Sequence, residues 1–361
     1  MHPIFKNPKR YAIFFVPCAP INLNATMIKK VAWNGIPALA MKAGRYEALL
    51  VPQVGANLVR LCHTGIKADI LRTPQANEME TFFSRPQIFG LPLLFPPNRI
   101  SNGTYTWNGR TYRYPITLPD QHCHHHGLLK TQPFTVTRCE EGDEAVVVEA
   151  SFCSNDFNDA IFSYFPHRFV CRMVFNLSDQ GLTHKVIFEN LDDAEMPLGV
   201  GFHTPINVPF VAGSDPAACR LRLSAGKQWL LSPDRTLPTG EIIELSDELG
   251  KLRTPEGMRP TGSPLEALLT DCAIETAGKP YHGAIMTDTA NGLQLFYEVD
   301  ENVKFWTLWN NGGGVPWICP EPQTWAIDAP NVKMPHEVTG FRTLAPKSTW
   351  EMVSKFYMQS L

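Results

Sequence analysis

The chain has 361 residues, of which 44% are hydrophobic and 19% are charged, and its formal net charge is −3. A chain so close to neutrality gives no electrostatic reason to bind nucleic acid, whose phosphates require basic surfaces. No run of about 18 apolar residues suggests a membrane-spanning helix. The composition therefore favours a globular protein with a large core and neither kind of partner.

Residues 1–26 form a segment whose status the sequence leaves open. A short apolar run there resembles a signal peptide, but Pro17 and Pro20 break it and no clean cleavage site follows. Sequence with a regular pattern of apolar and polar residues begins at Met27, so Met27 is an alternative start for the natural protein. The nine cysteines are an odd number and include no C-x-x-C pair, which favours reduced thiols. We therefore expect a cytoplasmic protein with one domain over residues 27–361.

The clearest local signal is a β-hairpin at residues 104–114. Asn108 and Gly109 are the preferred pair for a type I′ turn, because both positions need positive φ, and alternating aromatic residues flank them. Alternation with a period of two predicts further strands at residues 145–152, 169–175, 182–188, 293–299 and 304–309. Short turns predict that the second and third of these form one hairpin and the last two another.

Helical periodicity is scarce in the rest of the chain. Residues 70–80 are ambiguous, and residues 238–250 are consistent with a short helical turn. The stretch 212–264, which is rich in Pro, Ser and charge, suggests a long excursion over the surface. We therefore predict an all-β fold, a single large antiparallel β-sandwich with few short helices.

Residues 121–127 concentrate four of the eleven histidines. In a strand, His122, His124 and His126 would share one face, and three imidazoles on one face can ligate zinc. No H-E-x-x-H or similar partner motif follows in the sequence. Two alternatives remain beside zinc: surface or core histidines, and polar contacts to a sugar by one or two of them. No metal is assigned.

Three other polar residues stand in contexts that suggest chemistry. His203 ends an apolar strand, where a structural histidine is the commoner case. Glu321 lies between two prolines after an apolar stretch, and apolar walls raise the pKa of a carboxyl group toward the range useful for proton transfer. Arg99 follows Asn98 directly before the hairpin, and its guanidinium suits sugar hydroxyls or carboxylates. A strand-end surface glutamate and a salt-bridged surface arginine are the structural alternatives.

Taken together and in order, several segments resemble the aldose 1-epimerase (galactose mutarotase) family. The resemblance runs from about residue 30 to the C-terminus and rests on short motifs at residues 51–56, 90–100, 126–127, 201–203, 269–271 and 321–324. It implies an almost all-β galactose mutarotase-like supersandwich. It also implies an isomerase that interconverts the α and β anomers of a free sugar and uses no cofactor.

The resemblance implies a role for each site residue. Glu321 would be the general base that takes the proton from the anomeric hydroxyl, and His203 the general acid that protonates the ring oxygen. The sugar would be held by four substrate-binding residues: Asn98, Arg99, His126 and Asp271. Because Glu321 would start ionised and His203 protonated, the activity would have a bell-shaped pH dependence.

One departure from the family leaves the substrate open. The family often has Pro-Tyr-Phe after the catalytic histidine, whereas Thr-Pro-Ile-Asn follows His203 here. A hexose-6-phosphate 1-epimerase is therefore an alternative. It would need basic residues near the site, and Arg72, Arg85 and Arg113 are available.

Two further alternatives concern the activity itself. The chain could be a sugar-binding protein of this fold without catalysis, although both proton-transfer residues are present. A glycoside hydrolase would need two carboxylates, for which Glu321 and Asp271 are candidates. Under each reading the expected partner is a small sugar, and the expected state is a monomer or homodimer.

Overall fold

The computed structural model of the chain describes residues 26–155 and 160–361. Residues 1–25, nearly all of the predicted N-terminal extension, lie outside the described residues. The first strand begins at Met27. The division into an extension and a single domain stays a prediction.

The described residues form 29 strands and four short α-helices. The strands before residue 126 are β1 (Met27–Trp33), β2 (Ile36–Ala43), β3 (Tyr46–Val51), β4 (Asn57–His63), β5 (Ala68–Asp69), β6 (Leu93–Leu94), β7 (Arg99–Ser101), β8 (Thr104–Trp107), β9 (Arg110–Arg113) and β10 (Cys123–His125). The next are β11 (Thr135–Glu141), β12 (Ala145–Ser154), β13 (Phe169–Ser178), β14 (Gly181–Asn190), β15 (Met196–Pro197), β16 (Gly201–Phe202), β17 (Ile206–Asn207), β18 (Cys219–Leu223), β19 (Ala225–Leu231) and β20 (Pro238–Ile243). The last are β21 (Glu266–Asp271), β22 (Ile274–Thr276), β23 (Lys279–Tyr281), β24 (Gly283–Asp288), β25 (Leu293–Val299), β26 (Phe305–Trp309), β27 (Trp317–Gln323), β28 (Thr343–Leu344) and β29 (Thr349–Ser360). The helices are α1 (Met79–Ser84), α2 (Ala160–Tyr164), α3 (Asp247–Gly250) and α4 (His336–Thr339).

Two eight-stranded antiparallel sheets dominate the fold. One has the order β11-β12-β13-β14-β29-β25-β24-β18, and the other has the order β20-β19-β21-β26-β27-β16-β6, with β17 also paired to β27. Side chains from both sheets meet in one hydrophobic core, which includes Phe175 from the first sheet and Ile318 from the second. A five-stranded sheet, β1 to β5, adds residues such as Leu50 to this core. The predicted all-β sandwich with few short helices is confirmed.

The predicted hairpin at residues 104–114 is confirmed, and the first of the two later hairpins is present as well. Strands β8 and β9 are joined by Asn108 and Gly109, whose φ angles are +46° and +75°. Strands β13 and β14 pair without a register shift from Phe169–Asn190 to Ser178–Gly181. In both places the turn residues and the flanking alternation agree, so local sequence is sufficient to define the hairpin.

Two predictions about longer-range organisation are wrong. The strands over residues 293–299 and 304–309 exist as β25 and β26, but they do not pair. Strand β25 pairs with β24 and β29, whereas β26 pairs with β21 and β27 in the other sheet. The turn after β25 thus carries the chain across the sandwich. The stretch 212–264 is not a surface excursion either, because it supplies β18, β19 and β20 to the two main sheets.

The strand that carries Glu321 is central in its sheet and fully buried. Strand β26 pairs along it, with Thr307 opposite Glu321. On the other side, β16 and β17 pair with β27 only at its two ends. Pro320 and Pro322 have no N–H to donate, so they cannot complete a ladder between those ends. The segment between β16 and β17 crosses this gap, and its first residue is His203.

No disulfide joins any two of the eight cysteines within the described residues. No helix in residues 26–155 and 160–361 is both long and apolar enough to cross a bilayer. The cytoplasmic location remains a prediction.

Candidate active site

A cavity opens where β26 and β27 meet the turns that follow β10 and β16. Its volume is about 110 Å³, which is smaller than the range of about 300–1,000 Å³ common for sites that bind drug-sized molecules. Its lining consists of Arg85, Gln87, Ile88, Asn98, Arg99, His125, His126, His203, Glu266, Thr307, Trp309 and Glu321. Two carboxylates, three imidazoles, two guanidiniums and one indole therefore surround a small polar cavity.

His203 and Glu321 meet at the buried end of this cavity. Nε2 of His203 lies 3.2 Å from Oε1 of Glu321, and both side chains are almost fully buried. The ring of His203 also packs edge-on against the half-buried indole of Trp309, with centroids 5.4 Å apart. Nδ1 of His203 has no hydrogen-bond partner among the described residues. Among the described residues, Glu321 is therefore the polar partner of this imidazole.

Burial shifts the pKa values of the two groups in opposite directions. It raises the pKa of Glu321 well above its usual value, against the opposing charge of Arg99. It lowers the pKa of His203 to about 3, with a smaller contribution from the charge of Arg85. Burial penalises the charged form of each group. Burial thus favours a neutral pair with the shared proton on Glu321, rather than the predicted ion pair, although both forms hold one proton.

A chain of buried polar groups fixes the carboxylate. Nε2 of Gln323 donates to Oγ1 of Thr307 at 2.9 Å and lies 3.4 Å from Oε2 of Glu321. Nδ2 of Asn98 donates to the same threonine oxygen at 3.1 Å. With two donors on its oxygen, the Thr307 hydroxyl has its own proton available for another acceptor.

Arg99 is held from three directions. It donates from Nε to Gln121 at 2.7 Å, from Nη1 to Oδ1 of Asn98 at 3.1 Å, and from Nη2 to Glu266 at 3.2 Å. Asn98 has a φ of +56°, a conformation that asparagine tolerates better than most residues. The predicted pair Asn98–Arg99 therefore lies in the cavity as a rigid unit.

The turn after β10 brings two imidazoles to the wall. His125 lies opposite Arg99 in the ladder between β7 and β10, and the N–H of His126 donates to the carbonyl of Asn98 at 2.8 Å. The rings of His126 and His203 are 5.1 Å apart. Gly127 closes the turn with a φ of +68°, and a Cβ there would lie 2.2 Å from the carbonyl oxygen of Phe95. Only glycine fits at this position.

Lys130 stabilises this turn from behind. Its Nζ donates to the carbonyl oxygens of His125, His126 and Gly127 at 3.2, 3.3 and 2.9 Å. Burial lowers the pKa of Lys130 to about 8. One ammonium group thus satisfies three carbonyls that would otherwise be left without a donor.

We expect Lys130→Met to lower the free energy of unfolding by about 1–3 kcal/mol, because it leaves these carbonyls unpaired. Urea unfolding followed by circular dichroism measures the change. Lys333→Met is the matched control, since Lys333 is exposed and far from the turn in sequence. Equal stability of the two variants would contradict this role.

The histidine cluster does not form a metal site. His122 is exposed, and its Nδ1 contacts Asn102 at 3.1 Å, whereas His124 stacks on Tyr114 and its Nδ1 contacts a backbone carbonyl. The three histidines expected on one face thus point into three environments, because His122 and His126 have positive φ and lie outside β10. Among the described residues, no three His, Cys, Asp or Glu side chains converge on one point.

The expectation for Asp271 is corrected. Its carboxylate accepts hydrogen bonds from Ser224 and from Nε1 of Trp306 and contacts His282, and it does not line the cavity. Trp306 and Thr307 are adjacent in β26, so their side chains point to opposite faces of the sheet. Glu266, at the other end of β21, is the acidic residue of that strand in the cavity.

Sequence reasoning missed several cavity residues. Glu266, Thr307 and Trp309 lie on strands whose pattern the sequence predicts only in part, and none has a distinctive neighbour. What brings them to the cavity is the pairing of strands: Glu266 is opposite Trp309, and Thr307 is opposite Glu321. Register between strands, which one sequence does not reveal, was needed to find them.

The fold is thus an all-β supersandwich, and its polar cavity holds a buried imidazole–carboxyl pair. The aldose 1-epimerase family profile matches residues 37–357, and the chain belongs to this family. The chain is also 26% identical over 166 residues to the uncharacterized protein YihR of Escherichia coli (strain K12). That match spans 46% of this chain and about half, 48%, of the length of YihR.

Solved structures share the whole fold. A galactose mutarotase-like protein from Clostridium acetobutylicum superposes with a TM-score of 0.90 at 36% identity, covering 94% of this chain and all of that one. Galactose 1-epimerase from Lactobacillus acidophilus NCFM superposes with a TM-score of 0.67 at 15% identity, covering 93% of this chain and 99% of that one. The likeness to the Lactobacillus protein shows the fold alone. The likeness to the Clostridium protein, together with the family, supports a general epimerase or mutarotase function.

Proposed function

We propose that the chain is an aldose 1-epimerase, which interconverts the α and β anomers of an aldose by general acid–base catalysis. The observation that carries the proposal is the 3.2 Å contact between Nε2 of His203 and Oε1 of Glu321 in a buried cavity. Nδ1 of His126, in the lining of the same cavity, is buried and has no partner among the described residues. Buried polar atoms without partners are rare in proteins, and a hydroxyl of a bound sugar would satisfy this one.

The chemistry requires one proton removed and one delivered. The anomeric hydroxyl O1 donates its proton to Glu321, the C1–O5 bond breaks, C1=O1 forms, and O5 takes a proton from Nε2 of His203. O1 and O5 share the carbon C1, so two protein atoms 3.2 Å apart can each reach one of them within about 2.6–3.2 Å. The open aldehyde rotates about C1–C2 and closes with the roles reversed.

The sugar selects the charged form of the pair. A hydroxyl that donates to Glu321 favours the carboxylate, and a ring oxygen that accepts from His203 favours the imidazolium. The shared proton then needs to move only within the existing contact. The remaining hydroxyls would meet Arg99, His126 and Thr307, and the half-buried face of Trp309 would cover the apolar side of the ring.

Polarimetry on freshly dissolved α-aldoses tests the proposal. The protein should shorten the approach to equilibrium rotation in proportion to its concentration, with and without EDTA. If no sugar in a panel of neutral and charged aldoses equilibrates faster than its spontaneous rate, the proposed function is wrong.

We expect a broad pH optimum, because the active pair holds one proton. With the pKa of His203 at about 3, the pair takes up a second proton only in strong acid. With the pKa of Glu321 raised, it loses the shared proton only well above the usual carboxyl range. After subtraction of the spontaneous rate, kcat/KM should be flat through pH 6.5, the ordinary imidazole value. A fall of activity by half near pH 6.5 would contradict this assignment.

The structure bears differently on the three alternative functions: a glycoside hydrolase, a hexose-6-phosphate 1-epimerase and a sugar-binding protein without catalysis. A glycoside hydrolase would need a second carboxylate beside Glu321, but Asp271 lies outside the cavity and the carboxylate of Glu266 is paired with Arg99. Of the arginines considered for a phosphate, Arg72 pairs with Glu78 at 2.6 Å and packs on Phe89, whereas Arg85 lines the cavity. A binding protein without catalysis would have no use for a paired acid and base.

A further inference from the structure

Thr307 lies in the lining of the cavity with a hydroxyl group whose only remaining role is that of a donor. Its side chain is buried, and Oγ1 accepts from Nδ2 of Asn98 at 3.1 Å and from Nε2 of Gln323 at 2.9 Å. A hydroxyl oxygen has two lone pairs, so both are occupied and one proton remains to be donated. Within residues 26–155 and 160–361, no acceptor lies within hydrogen-bond distance of that proton. One buried donor in the cavity is therefore without a partner.

Neighbouring groups fix the direction of this donor. Oδ1 of Asn98 accepts from the N–H of Arg99 at 3.0 Å and from its Nη1 at 3.1 Å, and both groups can only donate. The amide nitrogen of Asn98 must therefore face Thr307. Nε2 of Gln323 also lies 3.4 Å from Oε2 of Glu321, and an ionised carboxylate can only accept. The amide nitrogen of Gln323 therefore faces Thr307 as well, and the threonine proton is left for a bound molecule.

The acid and Thr307 lie on different sides of the Glu321 carboxylate. Nε2 of His203 contacts Oε1 at 3.2 Å, whereas the Gln323 amide that donates to Thr307 lies next to Oε2. Thr307 is directly opposite Glu321 in the ladder between β26 and β27, so their side chains lie on the same face of the sheet. In an aldopyranose the anomeric carbon has two ring neighbours, O5 and C2. With O1 at Glu321 and O5 at His203, the substituent of C2 comes to the side of Thr307.

Resting on the proposed function, we propose that Thr307 is a specificity-determining residue, whose hydroxyl donates a hydrogen bond to the oxygen on C2 of the sugar. The preferred substrate is then an aldose with an oxygen at C2. A 2-deoxy sugar would leave the Thr307 donor buried and unpaired, which costs more than the hydrogen bond alone. The contact thus selects against sugars that lack this oxygen.

The same contact has a place in the reaction. After the ring opens, the aldehyde must turn about the C1–C2 bond before the ring closes as the other anomer. With its oxygen bound to Thr307, C2 stays in place while C1 and its carbonyl group turn. The aldehyde then presents its other face to O5 without a shift of the rest of the sugar.

The test is a double-mutant cycle in which one of the two changes is made in the sugar. NMR exchange spectroscopy gives kcat/KM for glucose and 2-deoxyglucose with the parent and with Thr307→Val, each corrected for the spontaneous rate. The ratio of glucose to 2-deoxyglucose should be about 5–100-fold larger in the parent, the effect of a buried donor left unpaired. Comparing the two ratios cancels the intrinsic reactivity of the sugars. It also cancels any uniform loss from the unpaired amides of Asn98 and Gln323.

Three controls distinguish this contact from general damage to the site. Thr307→Ser keeps the hydroxyl and should keep most of the parent's preference for glucose over 2-deoxyglucose. Thr287→Val removes another buried threonine hydroxyl, which accepts from Nε2 of Gln294 at 3.1 Å on β24 of the other main sheet, and it should keep the parent's preference. The ratio of glucose to 3-deoxyglucose should be the same in the parent and in Thr307→Val, because 3-deoxyglucose retains its C2 oxygen.

A binding titration distinguishes this contact from the proposed function. Tryptophan fluorescence, to which Trp309 in the cavity lining contributes, reports binding of the same sugars without requiring turnover. If the parent binds glucose more tightly than 2-deoxyglucose and Thr307→Val does not, while neither sugar is epimerised, the contact stands and the proposed function fails. If glucose is epimerised and Thr307→Val keeps the parent's ratio of the two sugars, the contact is overturned and the proposed function stands. Absence of both binding and turnover for the two sugars would also overturn the contact.

Discussion

Glu321→Gln should reduce kcat for anomer interconversion by about 10²–10⁴-fold, the usual contribution of a positioned acid or base. The amide has nearly the shape of the protonated carboxyl that burial favours, so it fits between His203 and Gln323. It cannot take a proton from the anomeric hydroxyl. Polarimetry under saturating sugar measures the loss.

Thermal unfolding checks that this variant is folded. Its midpoint should stay close to that of the parent, because no buried charge is created and no volume is lost. Glu337→Gln, an exposed glutamate on α4, is the matched control and should keep full activity. A folded Glu321→Gln protein with at least half of the parent kcat would remove Glu321 from the mechanism.

His203→Asn should cause a loss of similar size, about 10²–10⁴-fold, for the complementary reason. Asparagine can contact Glu321 but cannot deliver a proton to the ring oxygen. The double variant Glu321→Gln/His203→Asn should be hardly slower than either single variant, because acid and base act as a unit. Single-turnover exchange rates for the three variants measure this non-additivity.

His122→Asn is the matched control for the histidine. That residue is exposed, has a φ of +52° that asparagine tolerates, and does not line the cavity. It should retain the parent rate. If the losses of the two single variants multiply in the double variant, the residues act independently and the paired mechanism is wrong.

Local sequence was sufficient where a single segment defines its own geometry. Asn108-Gly109 determines a hairpin, and the prolines around Glu321 mark an unusual strand. The meeting of His203 with Glu321 was predictable only through the family resemblance, since 118 positions separate them.

The sequence does not reveal which strands pair with one another. The pattern of β25 and β26 identifies two strands but not that they belong to different sheets. On β21, the sequence drew attention to Asp271, whereas Glu266 at the opposite end reaches the cavity. Five residues of strand span about 16 Å, so a motif on the right strand can still point to the wrong end of it.

The base lies within β27, and the acid lies in the segment that runs along the edge of β27 between β16 and β17. Their separation is thus a property of the sheet, whereas Arg85 and Gln87, at the rim of the cavity, come from the turn segment after α1, outside the sheet. Turns tolerate replacement far better than central strands. Exchanging the rim turns between relatives should therefore transfer sugar preference from one protein to another without readjusting the proton-transfer pair.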